Sequence, residues 1–250
     1  MADNRHFMLV VVGEDPDELI KKYDNNLTVD PYVVLKFSDA KKYHEKYIKV
    51  LKELLKILDK SDPEYFHTQE QLNIYENEDD IEFYLDIADG YEIDEETGDA
   101  ISTANPDGKY DGCSIGKNFA LPLIDKHGNE VYSCRKKDVD WNKIHLINQD
   151  VYAFAWDSVM EGKTPKTDEE KIIYDNMKNR KEYFNHYKNR ENYILSNTSF
   201  WGYAFLSEKT GWVELEETVN QFEWVKNFFN RFIAPLGEND KISVYECLRN

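Results

Sequence analysis

Carboxylates are the side chains of this sequence with the clearest potential for chemistry. Segment 61–108 contains sixteen Asp and Glu and no Lys or Arg, whereas the other 202 residues carry 31 basic and 33 acidic side chains. Within it, Glu78, Glu82, Asp86 and Asp89 follow one another at spacings of four, four and three residues. On a helix these side chains would form one stripe, with successive carboxylates about 6 Å apart along the axis. That separation is comparable with the spacing of phosphates along a nucleic-acid strand.

The local acidity predicts a surface that binds a cationic partner. A concentrated field of one sign steers association better than dispersed charge, and it contributes on-rate and specificity more than raw affinity. The predicted partner-binding residues are Glu78, Asp79, Glu82, Asp86, Asp89, Glu92, Asp94, Glu95 and Glu96. The alternative interpretation is a solvated acidic face without a partner, which is what most charge runs are.

Metal chemistry by the same carboxylates is a second hypothesis. Glu92, Asp94 and Glu96 alternate like the first ligands of a calcium-binding loop. However, Thr97 occupies the position where that loop needs glycine, and Thr103 stands where the final glutamate is required. The pattern therefore excludes an EF-hand. An irregular carboxylate–metal site, which would make the protein a hydrolase or a nucleotide-processing enzyme, is the alternative function. No cofactor and no metal ligand set is predicted.

The cysteines and histidines show no catalytic pattern. Cys113, Cys134 and Cys247 are too few and odd in number for a disulfide framework, so they are interpreted as reduced thiols in a cytosolic setting. Cys113 would form a nucleophile–base pair with His127 or His145 only if the fold brought them together. The sequence predicts no catalytic residue.

Composition also limits the partners. The net charge is −18, which argues against direct binding to nucleic acid or to anionic lipid because both would repel the chain. No apolar stretch approaches the roughly 20 residues that span a bilayer. The N-terminus shows no export signal. We therefore expect a cytoplasmic protein.

The elements that would position these residues follow from periodicity and turn residues. A continuous apolar run at 7–12 predicts a strand near the start of the sequence, and 242–248 predicts a strand near its end. Ser38 begins a predicted long helix to about residue 60, and 79–89 predicts the helix that carries the acidic stripe. Further strands are predicted at 32–37, 110–115, 119–124, 130–134, 199–207 and 212–216, and further helices at 167–195 and 220–236.

This order predicts an α+β fold whose mixed or antiparallel sheet contains both terminal strands, with helices packed on it. We interpret 1–250 as a single domain with an acidic helical insertion at 61–108. The long polar helix at 167–195 is a further elaboration, which would protrude or pack against a second subunit. The oligomeric state is open, and a homodimer is one alternative.

Several blocks carry a family resemblance. They are 6–16 (HFMLVVVGEDP), 23–27 (YDNNL), 109–111 (KYD), 115–116 (IG), 135–141 (RKKDVDW), 200–202 (FWG) and 242–247 (ISVYEC). In these blocks the chain resembles a family of uncharacterised bacteriophage and prophage proteins. It departs from the family in the middle block, where Gly112, Cys113 and 117–119 stand in place of two aromatics and an Ile-Gly-Gly-Arg-Trp run.

The resemblance implies a phage accessory protein that acts inside a bacterial host cell. Combined with the local acidity, it predicts a protein that binds and inhibits a basic host protein. Anti-phage defence and nucleic-acid-handling proteins are the expected partners, since they bind nucleic acid in basic grooves. An acidic protein that mimics nucleic acid would occupy such a groove. A phage structural protein is a further alternative.

Overall fold

The computed structural model describes residues 5–116, 120–144, 149–216 and 218–249. Phe119, at which a predicted strand begins, and His145, considered as a base for Cys113, lie outside the described residues. The chain divides into two compact units. The first unit comprises Met1–Leu27 and Asp107–Asn250, and the second unit comprises Thr28–Pro106.

Strands and helices are numbered along the chain. The strands are β1 Arg5–Val12, β2 Thr28–Leu35, β3 Glu92–Ile93, β4 Ala100–Ala104, β5 Gly112–Ile115, β6 Leu123–Ile124, β7 Glu130–Val131, β8 Ser133–Arg135, β9 Ala204–Ser207, β10 Gly211–Glu214 and β11 Lys241–Arg249. The helices are α1 Pro16–Lys21, α2 Ala40–Ile57, α3 Pro63–Tyr75, α4 Asp80–Ile87, α5 Trp141–Ile144, α6 Gln149–Met160, α7 Asp168–Met177, α8 Lys181–Asn185, α9 Arg190–Thr198 and α10 Gln221–Phe228. A π-helical segment, Phe229–Ile233, continues α10.

The main sheet of the first unit contains both terminal strands, so the predicted α+β fold is confirmed. Its strand order is β10-β9-β1-β11-β5, and β8 also pairs with β11. β1 runs antiparallel to β11 from Arg5↔Arg249 to Val12↔Ile242 and parallel to β9. The uninterrupted apolar stretch 7–12 of β1 fits this central place, since its side chains are buried on both faces of the sheet.

Aromatic side chains cover one face of this sheet. Trp224, Phe228 and Phe232 project from α10 and the π segment onto Val10 and Phe205. The ring of Phe232 stacks on that of Phe205 with centroids 4.6 Å apart. Because α10 and the π segment supply this layer together, the predicted amphipathic helix at 220–236 is confirmed as a helical stretch. Its second part is wound as a π-helix.

The opposite face of the sheet is covered by α1 and neighbouring loops. Ile20, Tyr23 and Tyr110 pack there against Leu9 and Leu206. Main-chain hydrogen bonds join the two chain segments that flank the second unit, from the N–H of Asn25 to the carbonyl of Tyr110 at 2.8 Å and from the N–H of Lys109 to the carbonyl of Tyr23 at 2.7 Å. The segment where the chain leaves the first unit and the segment where it returns are therefore hydrogen-bonded to each other.

The interpretation of all three cysteines as reduced thiols is wrong for two of them. Cys113 of β5 and Cys247 of β11 are cross-strand partners with Cα atoms 4.1 Å apart, and their sulfurs are joined as a disulfide. Pairing between the two strands brings together residues 134 positions apart, which sequence spacing does not show. Cys134 is a half-buried free thiol, and burial raises its pKa.

The predicted single helix at 167–195 is also wrong, because the structure forms α7, α8 and α9 instead. Phe184 and Tyr193 both contact Trp156 of α6. On one straight helix they would face opposite ways, since nine residues are about two and a half turns. The chain turns between them at Lys188, whose φ is +67°, and the Asn189 side chain then caps α9 by accepting a hydrogen bond from the N–H of Asn192.

The second unit has its own sheet and helices. β2 pairs with β4 and β4 with β3, all antiparallel, and α2 packs against both α3 and α4. The predicted insertion at 61–108 therefore begins too late. The compact segment starts at Thr28, because β2 completes the sheet and α2 provides the surface on which α3 and α4 pack.

A buried hydroxyl connects the sheet of the second unit with α4. Tyr84 is fully buried, and its hydroxyl lies 3.1 Å from the carbonyl oxygen of Leu35 and 3.0 Å from that of Gly98. It also accepts a hydrogen bond from the N–H of Ala100 at 2.8 Å. Removing this oxygen would leave buried main-chain groups without partners, which costs more than the bond itself contributes.

We predict that Tyr84→Phe lowers the free energy of unfolding by about 1–3 kcal/mol, because the N–H of Ala100 loses its partner inside the core. Urea denaturation followed by circular dichroism measures the change. Tyr91→Phe removes the hydroxyl of an exposed tyrosine in the same unit and should leave stability unchanged. Equal effects of the two substitutions would contradict this role for Tyr84.

Candidate interaction surface

The helix that carries the predicted acidic stripe is α4, and its start is defined by a capping box. The Asp79 carboxylate accepts hydrogen bonds from the N–H groups of Ile81 and Glu82, both at 2.9 Å. The Glu82 carboxylate in turn accepts from the N–H of Asp79 at 3.2 Å. The D-x-x-E sequence thus satisfies the first main-chain donors of the helix.

A buried histidine fixes the position of α4. His44 of α2 lies 2.9 Å from Asp80 through Nδ1 and 2.7 Å from the carbonyl oxygen of Tyr75 through Nε2. Its ring stacks on Phe83 with centroids 4.6 Å apart. Because both partner atoms are acceptors, an imidazolium with two N–H groups satisfies them together. His44 therefore holds the end of α3 and the first turn of α4 against α2.

The surroundings of His44 favour its charged form. Burial alone would lower its pKa, but hydrogen bonds to Asp80 and Tyr75, with the nearby Glu78 carboxylate, raise the pKa above its ordinary value. Glu78 is itself half-buried, and its Oε2 is buried without a hydrogen-bond partner among the described residues. Glu78 thus faces the histidine site rather than open solvent.

Four of the predicted partner-binding carboxylates have structural roles. Asp79 and Glu82 form the capping box, and Asp86 accepts a hydrogen bond from the Tyr75 hydroxyl at 2.9 Å. Asp94 accepts from the hydroxyl and N–H of Thr97, and these bonds lower its pKa. The predicted calcium-like alternation is in fact a turn that Asp94 caps.

The predicted stripe of four carboxylates does not form. α4 includes only Glu82 and Asp86, since Glu78 precedes the cap and Asp89 follows the last helical residue. Four exposed carboxylates instead follow the helix: Asp89, Glu92, Glu95 and Glu96. Within the described parts of the chain, these four carboxylates have no hydrogen bond or ion pair. They are the carboxylates that remain available to a partner.

Exposed apolar side chains accompany the acids, and sequence reasoning missed them. Ile81 and Leu85 are 52% and 54% exposed, and their spacing of four residues places them side by side on α4. Eleven of the eighteen large apolar side chains that are exposed in the described residues belong to the second unit. The available signal was their spacing in the sequence, since Ile81, Tyr84 and Leu85 recur at helical intervals, although only the Tyr84 side chain is buried.

The second unit is not uniformly acidic. It contains twenty Asp and Glu but also eight lysines, most of them on or beside α2. A groove of about 460 Å³ on α2 is lined by Lys46, Lys49, Val50, Glu53, Leu54 and Ile57. Positive charge thus lies on α2, and negative charge lies on α3, α4 and the β3 turn. The acidic segment considered in the sequence began at residue 61 and therefore left out the lysines of α2.

Comparisons of the chain with protein-family models, curated proteins and solved structures found no match. Across the described residues, no helix combines the length and apolar character needed to cross a membrane. Nor, within the same residues, do three or more His, Cys, Asp or Glu side chains gather closely enough to hold a metal ion.

We predict that the stability of the second unit depends on pH through His44. Its raised pKa in the folded state means that the stabilisation is complete below the unfolded pKa and is lost as pH rises through the folded value. His44→Asn should therefore cost about 1 kcal/mol more at pH 5.5 than at pH 8.5. Urea denaturation across this range measures the difference.

His67→Asn is the matched control, since His67 lies on α3 but is exposed. Its effect should not change with pH. A gap between wild type and His44→Asn that widens as pH rises would contradict the charged state assigned to His44.

Proposed function

We propose that this chain is a non-enzymatic phage accessory protein whose second unit binds, and inhibits, a basic protein of the bacterial host. The proposed binding surface consists of Ile81 and Leu85 on α4, the neighbouring Glu82 and Asp86, and the carboxylates of 89–96. This surface adds Ile81 and Leu85 to the residues predicted from sequence and leaves out Glu78 and Asp79, which face the histidine site and cap α4.

The observation that carries the proposal is that α4 and the segment after it expose both apolar and acidic side chains. Ile81 and Leu85 are neighbours that each leave about half of their surface in water, and contiguous exposed apolar groups with a polar rim are typical of interaction sites. Glu82 and Asp86 lie beside them on α4, and the carboxylates without partners follow that helix in sequence. Apolar side chains at the centre of an interface contribute binding energy, while charges at its rim contribute on-rate and specificity.

Charge complementarity determines the class of the partner. The exposed carboxylates repel nucleic acid and anionic membranes, so the partner is a protein with basic residues around an apolar pocket. Basic grooves of this kind are typical of proteins that handle nucleic acid. The resemblance of the sequence blocks to phage proteins supports a partner from the bacterial host, and anti-phage defence or nucleic-acid-handling proteins are the proposed class.

We predict that neutralising the four exposed carboxylates weakens binding without changing stability. The variant Asp89→Asn/Glu92→Gln/Glu95→Gln/Glu96→Gln keeps side-chain size and loses no side-chain contact shown by the structure. Affinity capture from host lysate at low and high salt, with mass spectrometry, should show a basic protein retained by wild type at low salt only. The variant should lose that protein while keeping the wild-type thermal melt.

The control removes the same amount of charge from exposed positions of the first unit, through Glu161→Gln/Glu169→Gln/Glu182→Gln/Glu191→Gln. This control should retain the partner. Equal losses by the two variants would show that total charge alone is responsible. Equal retention by both would contradict the proposed surface.

We also predict that Ile81→Ser/Leu85→Ser raises the Kd for the captured protein about tenfold or more, because each side chain loses apolar area that the partner covers. Purified proteins and isothermal titration calorimetry measure this effect. Both residues are about half exposed, so the variant should stay folded with a modest loss of stability, which thermal melts measure. Val50→Ser/Leu54→Ser, at the exposed face of α2, is the control; a loss confined to that pair would move the interface to α2.

A further inference from the structure

A crevice in the first unit lies where two parallel strands end. β1 and β9 are parallel neighbours, and Val12, Gly13 and Ser207 at their carboxyl ends line a cavity of about 510 Å³. The π segment and the turn before β11 form its other walls. Crevices outside the carboxyl ends of parallel strands are common ligand sites, and this volume falls within the range of small-molecule pockets.

One side of the crevice is apolar. Val12, Phe205, Phe232 and Leu236 line it. The stacked rings of Phe205 and Phe232 hold this wall in place, since both are buried among the residues that cover the main sheet. The wall therefore offers an organised surface to an aromatic or aliphatic group.

Three basic side chains line the same crevice: Lys209, Arg231 and Lys241. The Arg231 guanidinium lies over the rings of Phe232 and Trp224, at 4.8 and 5.7 Å from their centroids. Among the described residues, no carboxylate lies within 4.0 Å of the cationic groups of these three residues. The Lys241 ammonium donates a hydrogen bond to the backbone carbonyl of Glu14, at 3.3 Å.

Two of the three acidic residues in the lining are already engaged. Glu14 receives two hydrogen bonds from Arg135, at 2.8 and 3.3 Å, and these lower its pKa. Asp240 accepts a hydrogen bond from the N–H of Gly237 at 2.8 Å, which closes the turn before β11. The third, Glu208, is exposed at the rim. Arg135 neutralises Glu14, so Lys209, Arg231 and Lys241 outnumber the remaining carboxylates, Glu208 and Asp240, by one charge, although the chain as a whole carries −18.

We propose that this crevice binds a small organic anion, in which an aromatic or aliphatic body contacts the Phe205–Phe232 wall and a carboxylate or phosphate contacts Arg231 and Lys209. A cation stacked on aromatic rings is held in one orientation and retains its N–H groups for an anion. The Thr210 hydroxyl and the neighbouring Ser207, which hydrogen-bond each other at 2.9 Å, supply a polar edge beside the head group. The site is independent of the interaction surface of the second unit.

Titration of the full-length protein with anilinonaphthalene sulfonate tests this proposal, because the probe joins an aromatic body to an anion. Saturable binding to the native protein is expected, with amide chemical shifts that move at Gly13 and Thr210. Neutral phenylnaphthylamine, which lacks the sulfonate, should bind at least tenfold more weakly. Equal binding of the two probes, or no shift at these amides, would overturn the proposal.

Substitutions then test the two cations. Arg231→Gln should raise the Kd of the sulfonate probe about tenfold, as expected for the loss of a charge-assisted hydrogen bond, and Lys209→Gln should weaken binding in the same direction. Arg180→Gln, an exposed arginine just before α8 that does not line the crevice, is the control and should bind like wild type. Both Arg231 and Lys209 are exposed, so thermal melts should match wild type. Wild-type affinity in Arg231→Gln would overturn the proposal.

Competition identifies the head group. Phenyl phosphate and phenylacetate carry the same ring with different anions, and each is added to the probe-bound protein. Displacement by the phosphate alone assigns a phosphate ligand, and displacement by the carboxylate alone assigns a carboxylate ligand; either supports the site. Failure of both to displace the probe would overturn the proposed ligand class.

Discussion

The pairing of β1 with β11 is the constraint on which the rest of this structure depends. It joins the two ends of the chain in one sheet, with eight cross-strand partners from Arg5↔Arg249 to Val12↔Ile242. β1 is apolar on both faces, so each face must be covered, and the helices and loops of the first unit cover it. Because both end strands belong to the first unit, segment 28–106 is an insertion between two parts of that unit. Hydrogen bonds between the Tyr23–Asn25 and Lys109–Tyr110 segments clamp its two ends together.

The same pairing creates the crevice of the first unit. β1 lies between an antiparallel and a parallel neighbour, so its carboxyl end meets the carboxyl end of β9 and the start of β11. Lys209 and Lys241 come from these strand ends, and Arg231 comes from the π segment that covers the sheet. The aromatic layer that covers the sheet supplies the apolar side of the crevice, and the strand ends with the π segment supply its basic side chains. These apolar and basic residues come from segments that are far apart in the sequence.

In the second unit, the important distinction is between carboxylates that stabilise the fold and carboxylates that face solvent. Asp79, Asp80 and Asp94 accept hydrogen bonds that define the start of α4, the contact with His44 and the β3 turn. The exposed carboxylates from Asp89 to Glu96 have no such bonds. An acidic segment of this kind is therefore only partly a binding surface. The structural carboxylates add to its electrostatic field, but the exposed ones determine what it can touch.

Local sequence patterns determined several parts of this protein. The apolar runs at both ends, the capping signal before α4 and the turn between β9 and β10 each act over a few residues, so their strands and helix could be predicted. Tertiary structure alone decided the Cys113–Cys247 pairing, the break of the 167–195 segment into three helices and the start of the second unit at Thr28. It also decided which apolar side chains of α4 are covered. Pairing, burial and exposure depend on contacts between distant residues, and neither composition nor periodicity contains that information.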